Sequence, residues 1–397
     1  MAVLPVRPTR AQRTAYQRTA YLGLTRGQKI RENLTGYLFI FPSLLVIGVF
    51  GLFPILYSVY MSTINWRVVK GQFVGMTNYR HALGALPGVL IFLAGLALMV
   101  AAFMVWNAVA RSGSLPRMLA GLTAALALVA GGWVLSSGWG QMLATGDKRF
   151  LNSLPITLFY SIGSVPLELI LGLVIAYVLF QNIRGKEFFR MLYFLPYVTP
   201  TIASAVVFAT IFSSKDISLA NTVLSWFGLK PLNWLIEPNP AVNVIFGTHL
   251  SGFLAGPSLA LVVVILFSVW TFVGYNVVIF LAGLGGIPKE VYEAAEMDGA
   301  SSAQMFLNIT IPLISPVTFY LALVALIGTF KAFNHIYVMR TANALGTMDV
   351  SSVTIFDTFY KFNNYGYAAA QAVILFVIIA SLTYAQNKLF SDRVFYG

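Results

Sequence analysis

The 397-residue sequence has no cysteine, only three histidines and few charged residues. The absence of cysteine excludes disulfides, Cys-ligated zinc, iron–sulfur clusters and thiol catalysis. The histidines, His81, His249 and His335, are too few to suggest a histidine-built metal or haem site. Charged residues make up 10% of the chain, whereas a soluble domain carries about 25%. We therefore exclude a water-soluble globular enzyme, and we expect no cofactor and no metal.

Long apolar runs dominate the sequence instead. The chain is 58% hydrophobic, and its mean hydropathy of +0.79 is typical of a membrane protein. A helix that spans a bilayer needs about 20 mostly apolar residues. Runs of this kind predict an all-α polytopic membrane protein with about eight transmembrane helices. The predicted spans are 36–62, 86–109, 116–138, 153–180, 191–213, 257–284, 312–337 and 367–389.

The net charge of +12 indicates membrane topology rather than nucleic-acid binding. Lys and Arg concentrate on the cytoplasmic side of membrane proteins, and the first helix usually dominates. Seven of the 25 Lys and Arg residues precede residue 36, and 15 fall in segments that are cytoplasmic if the N-terminus is inside. The sequence therefore predicts that both termini are cytoplasmic, with no nucleic-acid partner.

The loop at 285–311 is acidic where the other predicted inner segments are basic. Pro288 is a favourable helix start and Gly299 a favourable stop. About ten residues fit between them, which is too few to span a bilayer. Glutamates recur every three positions from Glu290, so they share one helix face. Composition alone leaves open a solvated acidic helix or a docking helix for a cytoplasmic partner.

This loop resembles a known motif. Glu293-Ala294-Ala295, three residues, Gly299, nine residues and Ile309-Thr310-Ile311-Pro312 follow the pattern E-A-A-x3-G-x9-I-x-L-P of ABC importer permeases, except that Ile311 replaces leucine. Three further stretches are similar to the carbohydrate-uptake branch, the maltose- and glycerol-phosphate-type permeases. They are Gly185–Pro196, Phe333–Val338 and Tyr365–Ala370. The resemblance covers about 36–66 and 150–397.

The resemblance implies the type I ABC importer permease fold, in which the acidic loop is a coupling helix that contacts a cytoplasmic ATPase. The coupling residues carried over are Glu293, Ala294, Ala295, Asp298 and Gly299. No G-x-x-x-x-G-K-[ST] sequence occurs, so ATP hydrolysis is expected on a separate subunit. The implied partners are an ABC ATPase dimer, a second homologous permease, an extracytoplasmic solute-binding protein, membrane lipids and a sugar substrate, in a prokaryotic inner membrane.

Four regions are expected along the chain. They are a basic cytoplasmic segment at 1–35, a first transmembrane helix with its outer loop at 36–85, an inserted transmembrane hairpin at 86–140 and a core permease domain at 150–397. The hairpin lies where the family usually has an outer loop. Its small residues favour close helix packing at the periphery, and contact with an extra subunit or a specific lipid is the alternative. The stretch 214–256 is expected outside, as an interfacial segment or a docking surface for the binding protein.

Glu168 is the one acidic residue within a predicted span. A charged side chain that faced lipid would cost about 2.5–3.5 kcal/mol on insertion scales, so an intramembrane carboxylate is a functional candidate. We expect Glu168 to face the helix bundle. A glutamate held by structural hydrogen bonds, or one packed on the partner subunit, is favoured over a proton or cation relay, because no second acidic residue lies in any predicted span to form a chain.

Two predicted spans carry polar and aromatic residues among aliphatic ones. A sugar presents hydroxyl edges and weakly apolar ring faces, so its site requires amide or hydroxyl groups beside a flat aromatic ring. The candidate substrate-path residues are Trp270, Tyr275, Asn276, Lys331, Asn334 and His335, and the resemblance places these regions in the translocation cavity. Interhelical packing of the two aromatics and snorkelling of the lysine to the interface are the competing interpretations.

The sequence thus predicts a permease subunit of an ATP-driven importer that moves a sugar or oligosaccharide by alternating access. It is not expected to be an enzyme, and no catalytic residue is predicted. The first alternative is an ABC permease for glycerol phosphate or another small polar solute. The second is a self-sufficient ion channel or proton-coupled carrier, which predicts transport without an ATPase and an essential Glu168.

Overall fold

The computed structural model describes residues 25–109, 115–181 and 183–390. Most of the basic segment expected at 1–35, the turn of the inserted hairpin with Arg111, and Arg393 lie outside the described residues. The chain divides into two compact units, one that ends at Tyr60 and one that begins at Met61.

The first unit is a long apolar helix. Helix α1 covers Arg26–Val46, a π turn covers Ile47–Leu52, and α2 covers Phe53–Ser62, which enters the second unit. The side chain of Thr25 accepts a hydrogen bond from the backbone of Gln28, whose side chain accepts one in return, so α1 starts at a capping box. Together these segments form a candidate span of 37 residues, and their exposed apolar side chains suit an environment of lipid.

The second unit opens with a short β-hairpin that the sequence analysis did not predict. Strand β1 at Ile64–Trp66 pairs antiparallel with β2 at Lys70–Phe73. Helix α3 follows at Thr77–Leu83. The side-chain amide of Asn78 donates to the carbonyl of Ser62 at 2.8 Å, which holds α3 against the end of α2.

The segment expected to be an inserted hairpin contains two long helices, α4 at Leu86–Val109 and α5 at Leu115–Thr145. The start of α4 and the end of α5 lie side by side. The backbone N–H of Asp147 donates to the carbonyl of His81 at 2.9 Å, across the base of the hairpin. The second helix ends at Thr145, beyond the end at 138 that the sequence predicted.

Two long helices form the centre of the second unit. Helix α6 covers Lys148–Phe180 and begins where the side chain of Asp147 accepts hydrogen bonds from two backbone N–H groups of the first turn. Helix α11 covers Leu259–Leu284 and is capped in the same way by Ser258. The side chains of α11 are the most buried of any candidate span in the described residues, so α11 forms the core of this unit.

Two of the predicted spans are broken. Helix α7 at Lys186–Val198 and α8 at Thr201–Ile211 meet at 96°, and Pro200 lies at the break. The second broken pair begins with α13 at Ser302–Met305, a π turn at Phe306–Thr310 and α14 at Ile311–Leu313, and continues at 64° as α15 at Ser315–Phe330. Proline lacks the backbone N–H that a continuous helix needs, so such breaks are expected where proline interrupts an apolar run.

Short elements fill the segments between these helices. They are α9 at Leu219–Trp226, a 3₁₀ turn at Trp234–Ile236, α10 at Ala241–Phe246, a 3₁₀ turn at Gly252–Ala255, α12 at Lys289–Met297, α16 at Asn334–Met339, a 3₁₀ turn at Ala342–Ala344, α17 at Ser351–Phe356 and a π turn at Asp357–Lys361. The long helix α18 at Tyr365–Phe390 follows them. The seventh span predicted at 312–337 is therefore wrong at its end, because the helix stops at Phe330 and a separate one starts at Asn334.

Six helices among the described residues are long and apolar enough to cross a membrane, and the number is eight if each broken pair forms one span. The prediction of about eight transmembrane helices is confirmed in this sense. The chain is a multi-pass helical membrane protein.

Candidate functional site

Three of the predicted coupling residues, Glu293, Ala294 and Ala295, lie on one short helix, and the other two, Asp298 and Gly299, follow it directly. Helix α12 starts directly after Pro288 and ends before Asp298. Gly299 follows with a φ of +77°, in the left-handed region that side-chain-bearing residues rarely adopt. Glu293 and Ala294 are exposed on α12. The loop that the sequence singled out therefore presents a rigid, charged helical turn to its surroundings.

Glu168 is buried and belongs to a chain of hydrogen bonds. Ser268 on α11 donates to the Glu168 carboxylate at 2.8 Å. The hydroxyl of Tyr160, two turns earlier on α6, donates to Ser268 at 3.0 Å. The same hydroxyl lies 2.9 Å from Nε2 of His335 on α16. The predicted intramembrane carboxylate thus links three helices.

The direction of the hydrogen bonds follows from counting protons. Tyr160 has one hydroxyl proton, and that proton is donated to Ser268. Its oxygen therefore accepts from His335, which requires the proton of the imidazole to be on Nε2. Every group then donates toward Glu168. A buried carboxylate is tolerated when such donors satisfy it, so the arrangement supports the structural interpretation of Glu168.

The predicted substrate-path residues of α11 face two different sides. Trp270 lines a cavity of about 400 Å³ between α7 and α11, together with Tyr193, Pro196 and Thr199. One turn further along α11, Tyr275 stacks on Tyr197 with 4.9 Å between the ring centroids. Asn276 instead is buried, and its side-chain nitrogen has no hydrogen-bond partner.

The three predicted substrate-path residues that follow α15 differ in their exposure. Lys331 and Asn334 are exposed on either side of the break between α15 and α16. His335 is buried and turned toward α6. The ring of Phe267 is 5.1 Å from that of His335 and 6.0 Å from that of Trp270. Trp270 and His335 thus both contact one phenylalanine of α11.

Sequence reasoning missed Tyr160, Ser268 and Phe267. Tyr160 could have been found from the sequence, because polar residues that are buried in the structure recur along one face of α6 up to Glu168. They are Ser153, Thr157, Tyr160, Ser161, Ser164 and Glu168. The spacing of three or four residues is that of one helix face. Ser268 and Phe267 stand among aliphatic residues without a comparable pattern.

A second polar cluster joins the start of α6 to the segment between α16 and α18. We call it the ionic cluster, and its members are Arg149, Arg340, Asp349, Asp357 and Lys361. Arg340 contacts Asp349 at 2.6 Å and Asp357 at 2.8 Å. Lys361 contacts Asp357 at 3.0 Å, and Arg149 also binds Asp357. No sequence motif predicts this cluster, because Arg149 and Asp357 are 208 positions apart.

The two carboxylates of the ionic cluster differ in their pKa. Burial raises the pKa of Asp349 above its usual value, and the attraction of Arg340 and Arg149 only partly offsets this. Burial acts in the same direction on Asp357, but hydrogen bonds from Arg340, Lys361 and Arg149 outweigh it and hold the pKa of Asp357 below its usual value. Asp357 is therefore the anion around which the cluster is organised.

No group of three or more histidine, aspartate or glutamate side chains is arranged to hold a metal ion in the part of the chain that the structure describes. The exposed helix α12 offers a contact for another protein, and the polar and aromatic residues of α6, α11 and α16 offer groups that suit a polar solute.

Comparison with known proteins gives the family. Residues 168–396 match the family described as binding-protein-dependent transport system inner membrane component. The arabinooligosaccharides transport system permease protein AraP of Bacillus subtilis is 32% identical over 239 residues, which are 60% of this chain and 69% of the relative. The trehalose/maltose transport system permease protein MalF of Thermococcus litoralis is 27% identical over 368 residues, 92% of this chain and 97% of the relative.

A solved structure shares the fold. A chain in the crystal structure of a bacterial ABC transporter involved in the import of the acidic polysaccharide alginate aligns with a TM-score of 0.54 at 21% identity, over 64% of this chain and 82% of that chain. This likeness confirms the predicted type I importer permease fold. The protein described here belongs to the family of binding-protein-dependent transport system inner membrane components, as a membrane permease subunit of an ABC transporter and not as an enzyme.

Proposed function

We propose that this chain forms one half of the path by which an ATP-driven importer moves a sugar or oligosaccharide across a prokaryotic inner membrane. The observation that carries the proposal is the exposed helix α12, with Gly299 at its end, in a chain of this family. An ABC ATPase dimer binds α12, a second homologous permease completes the path, and a solute-binding protein delivers the substrate outside.

The sugar is supported by the relatives and by the aromatic cavity. The permeases that resemble this chain are named for arabinooligosaccharides and for trehalose and maltose. Trp270 offers a flat ring at the edge of the cavity beside α7, and Asn334 offers an exposed amide. Glycerol phosphate is the second candidate, because the exposed ammonium of Lys331 suits a phosphate group.

Transport proceeds by alternating access, in which ATP binding and hydrolysis drive the opening of the path to one side and then the other. Closure of the ATPase dimer around ATP displaces α12, and the helices above it open the path outward. Hydrolysis returns the path to the inward-open state. The hydrogen-bond chain from His335 to Glu168 keeps α16 and α11 in register with α6, so candidate substrate groups on different helices move together.

Copurification tests the assembly. The tagged chain is extracted in mild detergent from its native host, and every retained polypeptide is identified by mass spectrometry. Recovery of a Walker-motif ATPase, a second permease and a solute-binding protein is the expected outcome. Proteoliposomes that contain this complex should then accumulate labelled maltose-class sugars only with ATP and the binding protein. Accumulation without ATP would contradict the importer and favour a carrier.

The same proposal places both termini and α12 in the cytoplasm. Because the chain has no cysteine, a single introduced cysteine is a unique reporter of sidedness. Ser302→Cys, within the coupling loop, should react with a membrane-impermeant maleimide only after the cells are opened. Ile217→Cys, in the exposed segment between α8 and α9, should react in intact cells or spheroplasts. The reverse pattern would invert the topology.

A backbone variant tests docking at α12. Gly299→Pro should leave the membrane helices assembled but abolish stimulation of ATP hydrolysis, because proline cannot adopt the positive φ of this position. Gly228→Pro is the matched control, since Gly228 has a φ of +69° in the loop after α9 and does not lie on the coupling loop. Stimulation at the wild-type level in Gly299→Pro would contradict the docking of α12.

A further inference from the structure

Helix α12 is held to the next helical segment by one hydrogen bond between side chains. The hydroxyl of Tyr292 lies 3.0 Å from the hydroxyl oxygen of Thr310. Thr310 is fully buried, whereas Tyr292 is partly buried and packs against the core of the unit. Glu293 and Glu296 on the same helix are exposed. The helix thus turns its acidic face outward and its tyrosine toward the membrane helices.

The partner of Tyr292 ends an unusual turn. Thr310 is the last residue of the π turn at Phe306–Thr310, and its hydroxyl donates to the carbonyl of Met305 at 3.3 Å. The tyrosine hydroxyl therefore donates to Thr310, and the threonine hydroxyl donates to the carbonyl of Met305, directly before the π turn. A π turn inside a helix is a common mark of a functional site or of a bend.

The bend lies directly after this turn. Pro312 follows two residues later, and the helix axis changes direction by 64° between Ser302–Leu313 and Ser315–Phe330. Proline removes one backbone hydrogen bond and the π turn alters others, so fewer bonds resist bending here than in a regular helix. A force applied at Thr310 therefore acts on the most deformable point of this broken span.

The π turn also contacts the long central helix. The ring of Phe306 lies 4.6 Å from the ring of Tyr177, near the end of α6. Helix α6 carries Glu168 nine positions before Tyr177, and Glu168 is tied to α11 through Ser268. A displacement of the π turn thus reaches α15 through the backbone and α6 through an aromatic contact.

We propose that the Tyr292–Thr310 hydrogen bond is the link that carries movement of α12 into the bent helix, and that both are positioning residues for coupling. The inference rests on the proposed function, because it requires that the ATPase moves α12. Packing alone would transmit a push toward the membrane. The hydrogen bond adds a direct tie for the return movement, when the ATPase subunits separate and α12 is pulled away, beside the covalent connection through residues 298–301.

Three variants in the complete reconstituted transporter test the link. Tyr292→Phe and Thr310→Val each remove a hydroxyl while they keep nearly the same shape, and Thr310→Ser keeps the hydroxyl. The measurement is the number of ATP molecules hydrolysed per substrate molecule imported. We expect this ratio to rise about fivefold in Tyr292→Phe and in Thr310→Val, as for the loss of one neutral hydrogen bond. Thr310→Ser should remain close to wild type.

The double variant and a control distinguish coupling from stability. Tyr292→Phe combined with Thr310→Val should be no worse than the more severe single change, because both remove the same bond. Tyr79→Phe is the matched control. It removes a tyrosine hydroxyl that lies 2.6 Å from Ser62 and takes no part in the Tyr292–Thr310 hydrogen bond. This control should leave the ratio unchanged.

Each outcome decides between the claims. A wild-type ratio in Tyr292→Phe, or equal uncoupling in Thr310→Ser and Thr310→Val, overturns the link while the importer stands. An equal rise in Tyr79→Phe also overturns it, because any lost hydroxyl would then have the effect. Absence of ATP-driven uptake in the wild-type complex overturns both the proposed function and the link.

Discussion

The inserted hairpin of α4 and α5 and the core around α11 are both packed as closely as backbone atoms permit, but they are held in different ways. In the hairpin, a Cβ at Gly95 would lie 2.7 Å from the Cα of Leu135. In the core, a Cβ at Gly274 would lie 2.6 Å from the carbonyl carbon of Tyr193. Glycine thus permits close approach in both regions.

The difference lies in directional bonds. The core helices are tied by side-chain hydrogen bonds from Tyr160 to Ser268 and from Ser268 to Glu168. Within the described parts of α4 and α5, side-chain hydrogen bonds stay inside one helix, apart from Thr145, which accepts from the backbone of Ala85 at the base. Van der Waals packing suffices to hold two helices together in lipid. Polar bonds fix which residues face each other, and the core contains them where the candidate substrate groups must keep their register.

The largest effect is expected from Gly274→Leu. The new side chain would collide with the backbone of α7 at Tyr193 and Phe194, and backbone cannot move aside as a flexible side chain can. Overpacking commonly costs about 1–3 kcal/mol and occasionally more, and a clash with backbone belongs at the upper end. We expect loss of the monodisperse peak in size-exclusion chromatography. Gly328→Leu on α15, where nothing lies within 4 Å, is the control and should behave as wild type.

Excision of the hairpin should have a smaller effect. The base is already closed, because a Cβ at Gly146 would lie 2.7 Å from the backbone nitrogen of Gly84, and Asp147 bonds His81 across it. Deletion of residues 85–145 so that Gly84 joins Gly146 should lower the melting temperature through lost contacts with α3. ATP-driven uptake per folded molecule should persist. Loss of uptake in a well-folded deletion variant would show that the hairpin binds a necessary subunit or lipid.

A point change inside the hairpin should have a smaller effect still. Gly95→Leu forces α4 and α5 apart near Leu135, and we expect a cost of about 1–3 kcal/mol, seen as a lower melting temperature. Uptake should be unchanged, because the strain stays within the hairpin. Gly132 follows Gly131, which contacts α4, but a Cβ at Gly132 would have nothing within 4 Å. Gly132→Leu should therefore leave the melting temperature and uptake unaltered. An equal loss in the two variants would mean that lipid exposure, not close packing, sets stability here.

The sequence predicted what is encoded locally. The short helix between Pro288 and Gly299 was predicted almost to the residue, because its start, its stop and its motif are contiguous. The apolar runs predicted the spans for the same reason. Breaks within a span were missed, because hydropathy is nearly the same for a straight and a bent apolar segment, although Pro200 and Pro312 marked both places.

The rest depends on contacts between distant positions. Arg149 and Asp357 join only after α6 and the segment before α18 are in place, and neither residue differs locally from any surface charge. The short strands β1 and β2 have three and four residues, which is too few for a reliable alternation of polar and apolar positions. For the candidate substrate path, the sequence offered residue types that suit a sugar, but it did not predict that His335 would be buried while Asn334 stays exposed.

The smallest effect is expected where the two regions differ most, at Glu168. Glutamine keeps an oxygen that accepts from Ser268, so Glu168→Gln preserves the hydrogen-bond chain from His335 while it removes any exchangeable charge. ATP-driven uptake should therefore remain near the wild-type level. Glu168→Leu, which leaves the Ser268 hydroxyl without its acceptor, should be less stable by about 1–3 kcal/mol. If Glu168→Gln assembles normally but imports nothing, the carboxylate must ionise or exchange a proton during transport. The hydrogen-bond chain through the core would then be a conduit for protons rather than a tie between helices.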